Sequence, residues 1–141
     1  RAVLLYMSGV IAFSFAMLHC FFWVLFDWAG ELPRLSAMNS AIVQMLNIAT
    51  IFACFFKGFV SFVLAKKQGP FSAAEKTILV FVGGSSFLRA AFGFPLFGID
   101  LKEIVVVMLC LTVVLANILA LKMPGDSGWV PRNPHPGLRG R

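Results

Sequence analysis

The sequence predicts an all-α polytopic membrane protein: four transmembrane helices in an up-down bundle, with both termini on the cytoplasmic side. Three observations predict it. Apolar residues fill 60% of the 141 positions and charged residues only 13%, against about 45–50% and about 25% in soluble domains. Four stretches, residues 2–26, 37–65, 77–97 and 104–121, are apolar over the roughly 17–25 residues that cross a hydrocarbon core of about 30 Å. Short polar connections separate them, which favours antiparallel neighbours. The same composition excludes a disordered chain, and three cysteines beside sixteen phenylalanines make no disulfide framework.

The first stretch, 2–26, carries no charge. Its length exceeds the ~7–15 residues of a signal-peptide core and no small-x-small cleavage pattern follows, so it is expected to stay as a span. Phe21, Phe22, Trp23, Phe26 and Trp28 at its far end read as an interfacial aromatic belt. Asp27, Gly30, Glu31 and Pro33 mark the first connection. Ser36 then stands as N-cap of the second stretch, whose one charge is Lys57. Lys66, Lys67, Gly69 and Pro70 form the second connection, and Ser72 with Glu75 has the spacing of a capping box. The third stretch holds Arg89, the small run Gly83, Gly84, Ser85, Ser86, and Pro95 near its end. After Gly98, Asp100, Lys102 and Glu103, the fourth stretch is uncharged. Residues 1–122 thus form the transmembrane domain. Residues 123–141 interleave Pro124, Pro131, Pro134 and Pro136 with Gly125, Gly128, Gly137 and Gly140, a composition that excludes helix and predicts a flexible basic tail.

Orientation follows from the basic residues beside the spans. Arg1, Lys66, Lys67, Lys76, Lys122, Arg132, Arg139 and Arg141 share one side; Arg34 and Lys102 lie on the other. The first side is expected to be cytoplasmic, in the plasma or inner membrane or its equivalent. Topology accounts for the net charge of +6, and no nucleic-acid motif accompanies it, so the bilayer is the expected partner and nucleic acid is not. Basic residues of the tail would add about 1 kcal/mol each at an anionic leaflet.

Polar side chains inside the spans are the candidate site. His19 lies seven residues from position 26, about 10 Å below that end. Gln44 is seven residues past 37, Asn47 one turn deeper, and Arg89 eight residues before 97, so three helices bring polar groups to one layer. At 100° per residue Ser40, Gln44, Asn47, Cys54 and Gly58 share a stripe of about 80°. Ser8, Ala12, Phe15 and His19 share another, and Ser86, Arg89 and Gly93 a third. Small and polar stripes face other helices, so His19, Gln44, Asn47, Ser86 and Arg89 are expected inside the bundle. Asp27, Glu31 and Asp100 are the expected ion-pair partners of Arg89, since an unpaired intramembrane arginine costs about 2.5–3.5 kcal/mol or more.

Two readings of this layer stand side by side: polar glue that holds the helices in register, and a cationic pocket for an anion, a lipid headgroup or another polar ligand. Lys57 likewise either snorkels toward the interface or forms a second cation on an anion path. A haem or chlorophyll-type pigment on His19 would need a ligand from another subunit, because His135 lies in the tail on the opposite side. Cys20, Cys54 and Cys110 lack metal-ligand spacing and read as small apolar residues. There is no HExxH, Walker, GxGxxG or GxSxG pattern, and every acid is at a rim or in the tail, so catalysis is not expected. The first functional expectation is a non-catalytic subunit or assembly factor that packs with other membrane subunits or with its own copies. The alternative is a small oligomeric transporter, channel or anion- or lipid-binding protein; a pigment- or haem-binding subunit comes after it.

Overall fold

A computed structural model describes residues 1–124; the Pro/Gly-rich segment from 125 onward lies outside the described residues. The chain is an all-α, polytopic membrane bundle built on α1 (Ala2–Cys20), α4 (Ala37–Ala65), α5 (Ala73–Phe97) and α6 (Leu101–Lys122). Two one-turn helices, α2 (Phe22–Leu25) and α3 (Trp28–Glu31), and a 3-10 turn (Leu32–Arg34) join α1 to α4. Large apolar side chains such as Val3, Phe52, Phe59, Phe81 and Leu115 point outward. In water such a surface would aggregate; in a bilayer it is the lipid contact.

Helix starts follow the capping chemistry of the sequence. Ser36 Oγ accepts the Asn39 N–H at 3.2 Å to open α4. Ser72 opens α5 with a reciprocal box: its Oγ accepts the Glu75 N–H at 3.3 Å, and the Glu75 carboxylate accepts the Ser72 N–H at 2.7 Å. Asp100 Oδ1 accepts the Glu103 N–H at 2.6 Å to open α6. Each cap satisfies a donor that the helix itself cannot and contributes about 1 kcal/mol. Gly98, at φ 81°, takes an extended positive-φ conformation that glycine alone adopts readily, just after α5 ends two residues past Pro95.

One element departs from the sequence expectation. The apolar run 2–26 is not a single helix, because α1 stops at Cys20 and Phe21 leaves helical geometry (φ −94°, ψ 3°). At this end the Asn47 side chain adds a tertiary bond, its Nδ2 donating to the His19 carbonyl at 3.1 Å. Beyond it the aromatics pack on one another, Phe22 against Phe26 and Trp28 with ring centroids 4.7 and 6.1 Å apart. Asp27 then reverses the chain at φ 45°.

Around the bundle the order is α4, α1, α6, α5: α1 packs closely on α4, α6 on α5, and α1 on α6, while α4 and α5 touch sparsely. Glycine sets the tightest seam. A Cβ on Gly58 of α4 would collide with the Phe13 ring and lie 3.2 Å from the Gly9 carbonyl of α1. At the end of the bundle that carries Arg1, the guanidinium donates to the Gly69 and Lys67 carbonyls at 2.7 and 2.6 Å and sits over the Phe71 ring. Lys67 also pairs with Glu75. Just inside, Leu5, Leu64, Leu79 and Ala120 pack with Phe71 into a dry apolar layer.

Candidate functional site

The site stacks in layers above that apolar floor. One turn in from it, Ser8 of α1, Ser61 of α4 and Asn117 of α6 meet, all three essentially inaccessible. Asn117 Nδ2 donates to Ser8 Oγ at 3.0 Å and to the Val113 carbonyl at 2.8 Å, and the two serine hydroxyls are 3.5 Å apart. Asn117 Oδ1 has no hydrogen-bond partner among the described residues. Gly83 of α5 borders this layer, where a Cβ would make an ordinary contact 3.6 Å from Asn117 Cβ.

Four residues along each helix, at Ala12, Lys57 and Val113, a cavity of about 180 Å³ begins. All four long helices wall it. Phe15, Leu18 and His19 of α1 line one side; Thr50, Cys54 and Lys57 of α4 line the next; Ser86 and Arg89 come from α5; Val106 and Cys110 come from α6. Its walls are mostly apolar, with Lys57, Arg89, His19 and the hydroxyls of Thr50 and Ser86 as the polar exceptions. Burial of Cys54 and Cys110 matches their reading as small apolar residues, and their place on the cavity wall is additional.

Arg89 is held in a bidentate ion pair with Glu103, Nη1 to Oε1 at 2.6 Å and Nη2 to Oε2 at 3.0 Å. The expected partners do not supply this charge. Asp27 turns the chain, Glu31 pairs with Arg34 at 2.9 Å in an exposed contact, and Asp100 caps α6. The reason is adjacency, since Arg89 faces the helix packed beside α5, and that helix is α6. Gly93, one turn beyond Arg89, leaves the space: a Cβ there would collide with the Glu103 carboxylate and approach Arg89 Nη1 at 2.9 Å. Phe97 covers the guanidinium, its ring centroid 4.8 Å from Cζ.

His19 and Asn47 fix one another. Asn47 Nδ2 is committed to the His19 carbonyl, so Oδ1 faces His19 Nδ1 at 2.7 Å. An amide oxygen only accepts, which puts the proton on Nδ1 and leaves Nε2 as the free nitrogen. Gln44, expected in the same layer, is not there. Its Nε2 returns to the Ser40 carbonyl and Oγ of its own helix, both at 3.3 Å. Because α1 ends beside Asn47, Gln44 lies past the helix it was expected to face. Ser86 lines the cavity with its hydroxyl donated to the Val82 carbonyl at 3.0 Å.

Lys57 lines the cavity and has no ion pair or hydrogen bond among the described residues. The His19 ring is stacked by Phe22 at 4.0 Å between centroids. A cavity of 180 Å³ is below the roughly 300–1,000 Å³ that drug-sized ligands fill, so a tetrapyrrole does not fit inside it. No group of three His, Cys, Asp or Glu residues able to hold a metal occurs among the described residues. Comparison of the chain with protein-family models, with curated proteins and with solved structures gives no match.

Proposed function

We propose that the protein is a non-catalytic membrane protein that binds a small anionic group in the cavity between its four helices. The observation that carries this reading is Lys57, an intramembrane cation on the cavity wall with no opposing charge among the described residues. Charge balance supports it. Glu103 neutralises Arg89 and engages two of its five N–H groups. The ammonium of Lys57 brings three more N–H donors and leaves the walls with a net positive charge, which fits an anion. An intramembrane cation costs about 2.5–3.5 kcal/mol or more, and an anion beside it offsets that cost.

The apolar layer of Leu5, Leu64, Leu79 and Ala120 closes the cavity toward the end that carries Arg1, which favours a binding site over an open pore. Removing the Lys57 charge removes a charge-assisted contact of about 1.5–3 kcal/mol. Lys57→Gln is thus expected to weaken binding of the preferred anion at least tenfold. The measurement is calorimetric titration of purified protein in phosphatidylcholine nanodiscs with acetate, inorganic phosphate and oleate. If none of these shows saturable binding that depends on Lys57, the reading fails.

The bias of basic residues supports a cytoplasmic location for the end with Arg1 and Lys122. Membrane-impermeant labelling of single cysteines, in a variant otherwise lacking them, is expected to modify position 67 from the cytoplasmic side only and position 29 from the opposite side only. The reverse pattern overturns the orientation.

A further inference from the structure

The way into the cavity identifies what kind of anion it takes, an inference that rests on the anion-binding reading above. Packing narrows three of its boundaries. Toward the Arg1 end lie the Ser8, Ser61 and Asn117 layer and then the dry leucine layer. At the opposite end the Phe22 ring lies on His19 at 4.0 Å, with Phe26 and Trp28 packed behind it. Around the sides, α1 with α4, α1 with α6 and α5 with α6 are in close contact. The remaining side is the seam between α4 and α5, where contact is sparse, and this seam faces lipid. The two cations flank it, Lys57 from α4 and Arg89 from α5.

We propose that the cavity binds the carboxylate head of a single-chain acidic lipid, which slides in from the bilayer between α4 and α5 and leaves its hydrocarbon tail in the membrane. Size agrees: 180 Å³ holds the equivalent of about six waters at ~30 Å³ each, enough for a carboxylate and its first methylenes but too little for a diacyl lipid. Charge agrees as well, because with Arg89 paired to Glu103 the cavity carries one uncompensated positive charge, Lys57, and one carboxylate balances it. The apolar remainder of the wall, Phe15, Leu18, Val106 and Val113, suits methylenes and gives a hydrated ion no partners. A water-soluble anion would have to cross lipid to reach the seam, with no hydrocarbon tail to offset that transfer.

The test compares oleate, its uncharged methyl ester, acetate and inorganic phosphate on the full chain in phosphatidylcholine nanodiscs, with native mass spectrometry to count bound molecules. Expected are one oleate per chain, a dissociation constant at least a hundredfold lower for oleate than for acetate or phosphate, and no saturable binding of methyl oleate. Lys57→Gln should weaken oleate at least tenfold, and Thr50→Trp, which places an indole on the α4 wall of the cavity, should slow oleate uptake at least tenfold. Acetate or phosphate bound as tightly as oleate, with Lys57 dependence kept, would overturn lateral lipid binding and leave the anion site standing. Methyl oleate bound as well as oleate would show a greasy crevice and overturn both. Should Thr50→Trp misfold, Thr50→Phe is the second variant, and unchanged uptake in a folded variant overturns the α4 and α5 route.

Discussion

Arg89→Leu is expected to destabilise the bundle by about 3 kcal/mol, the lower end of the ~3–5 kcal/mol seen when one partner of a buried ion pair is removed. Glu103 decides the size of the loss. Its side chain is only 8% exposed, whereas that of Arg89 is 38% exposed, so deleting the arginine strands a carboxylate with no solvent to turn to. The partial exposure of Arg89 is why the lower end applies, since screening weakens the pair on that side. Glu103→Gln should cost less, about 1–2 kcal/mol, because a neutral amide still accepts from the guanidinium and the exposed arginine can recruit water. The double variant Arg89→Leu with Glu103→Leu should recover most of the loss, as an ion pair replaced whole by apolar side chains is often close to neutral. Denaturation by sodium dodecyl sulfate in mixed micelles, followed by circular dichroism, reads all three. A double variant as unstable as Arg89→Leu alone would show that the pair is not what Arg89 contributes.

That pair also marks where the sequence was readable and where it was not. Four apolar stretches, their caps at Ser36 and Ser72, and the arginine that needs an explanation are all one-dimensional signals: length, spacing and a charge out of place. The partner of Arg89 is a two-body fact. Glu103 looks like a rim residue because it precedes the uncharged run of α6, and only the close packing of α5 on α6 brings it to Gly93 and Arg89. A signal was available in retrospect, since Gly93 stands one turn from Arg89 and its missing side chain is the space a carboxylate needs. Asn117 was overlooked for the opposite reason: one amide in a greasy helix carries no charge to draw attention, yet it anchors a wholly buried layer. Gln44 was misplaced because a stripe of helical periodicity tells which side of α4 a residue is on, and not how far the neighbouring helix extends. The α1 helix stops at Cys20, beside a tertiary hydrogen bond from Asn47 to the His19 carbonyl that no local pattern in residues 2–26 encodes.

Layering gives the site its function-bearing asymmetry. Ala12, Lys57 and Val113 at the cavity floor are each four residues from Ser8, Ser61 and Asn117, so one helical turn separates an open cationic chamber from a closed polar clasp. The clasp holds three helices together, and the leucine layer beneath it all four, without reference to the chamber. Substitutions in the chamber, Lys57 first among them, can therefore change binding while the bundle remains assembled, which is what makes the anion reading separable from stability.

Gly58 is where that separation breaks down, and its replacement carries the second large effect. Gly58→Val is expected to destabilise by about 3 kcal/mol, at or above the ~1–3 kcal/mol typical of overpacked sites. A new Cβ meets both the Phe13 ring and the Gly9 carbonyl. The ring can swing aside, at the expense of its packing with Phe55 and Phe62 at 5.2 and 5.5 Å between centroids; the carbonyl belongs to the α1 backbone and moves only if the helices part. Gly58→Ala should cost less, about 1–2 kcal/mol, because the contact with the backbone is 3.2 Å and a shift of a few tenths of an ångström relieves it. Gly84→Ala is the control on a lipid-facing position, where a Cβ finds nothing within 4 Å. It should leave stability unchanged or raise it by up to about 1 kcal/mol through helix propensity. Unfolding in mixed micelles ranks the three, and a Gly58→Val protein as stable as Gly84→Ala would show that α1 and α4 are not in contact through this seam. Because Lys57 is the neighbour of Gly58 in sequence and faces the cavity, parting α1 from α4 also displaces the cation. Gly58→Val should consequently weaken oleate binding together with stability, whereas Lys57→Gln weakens binding alone.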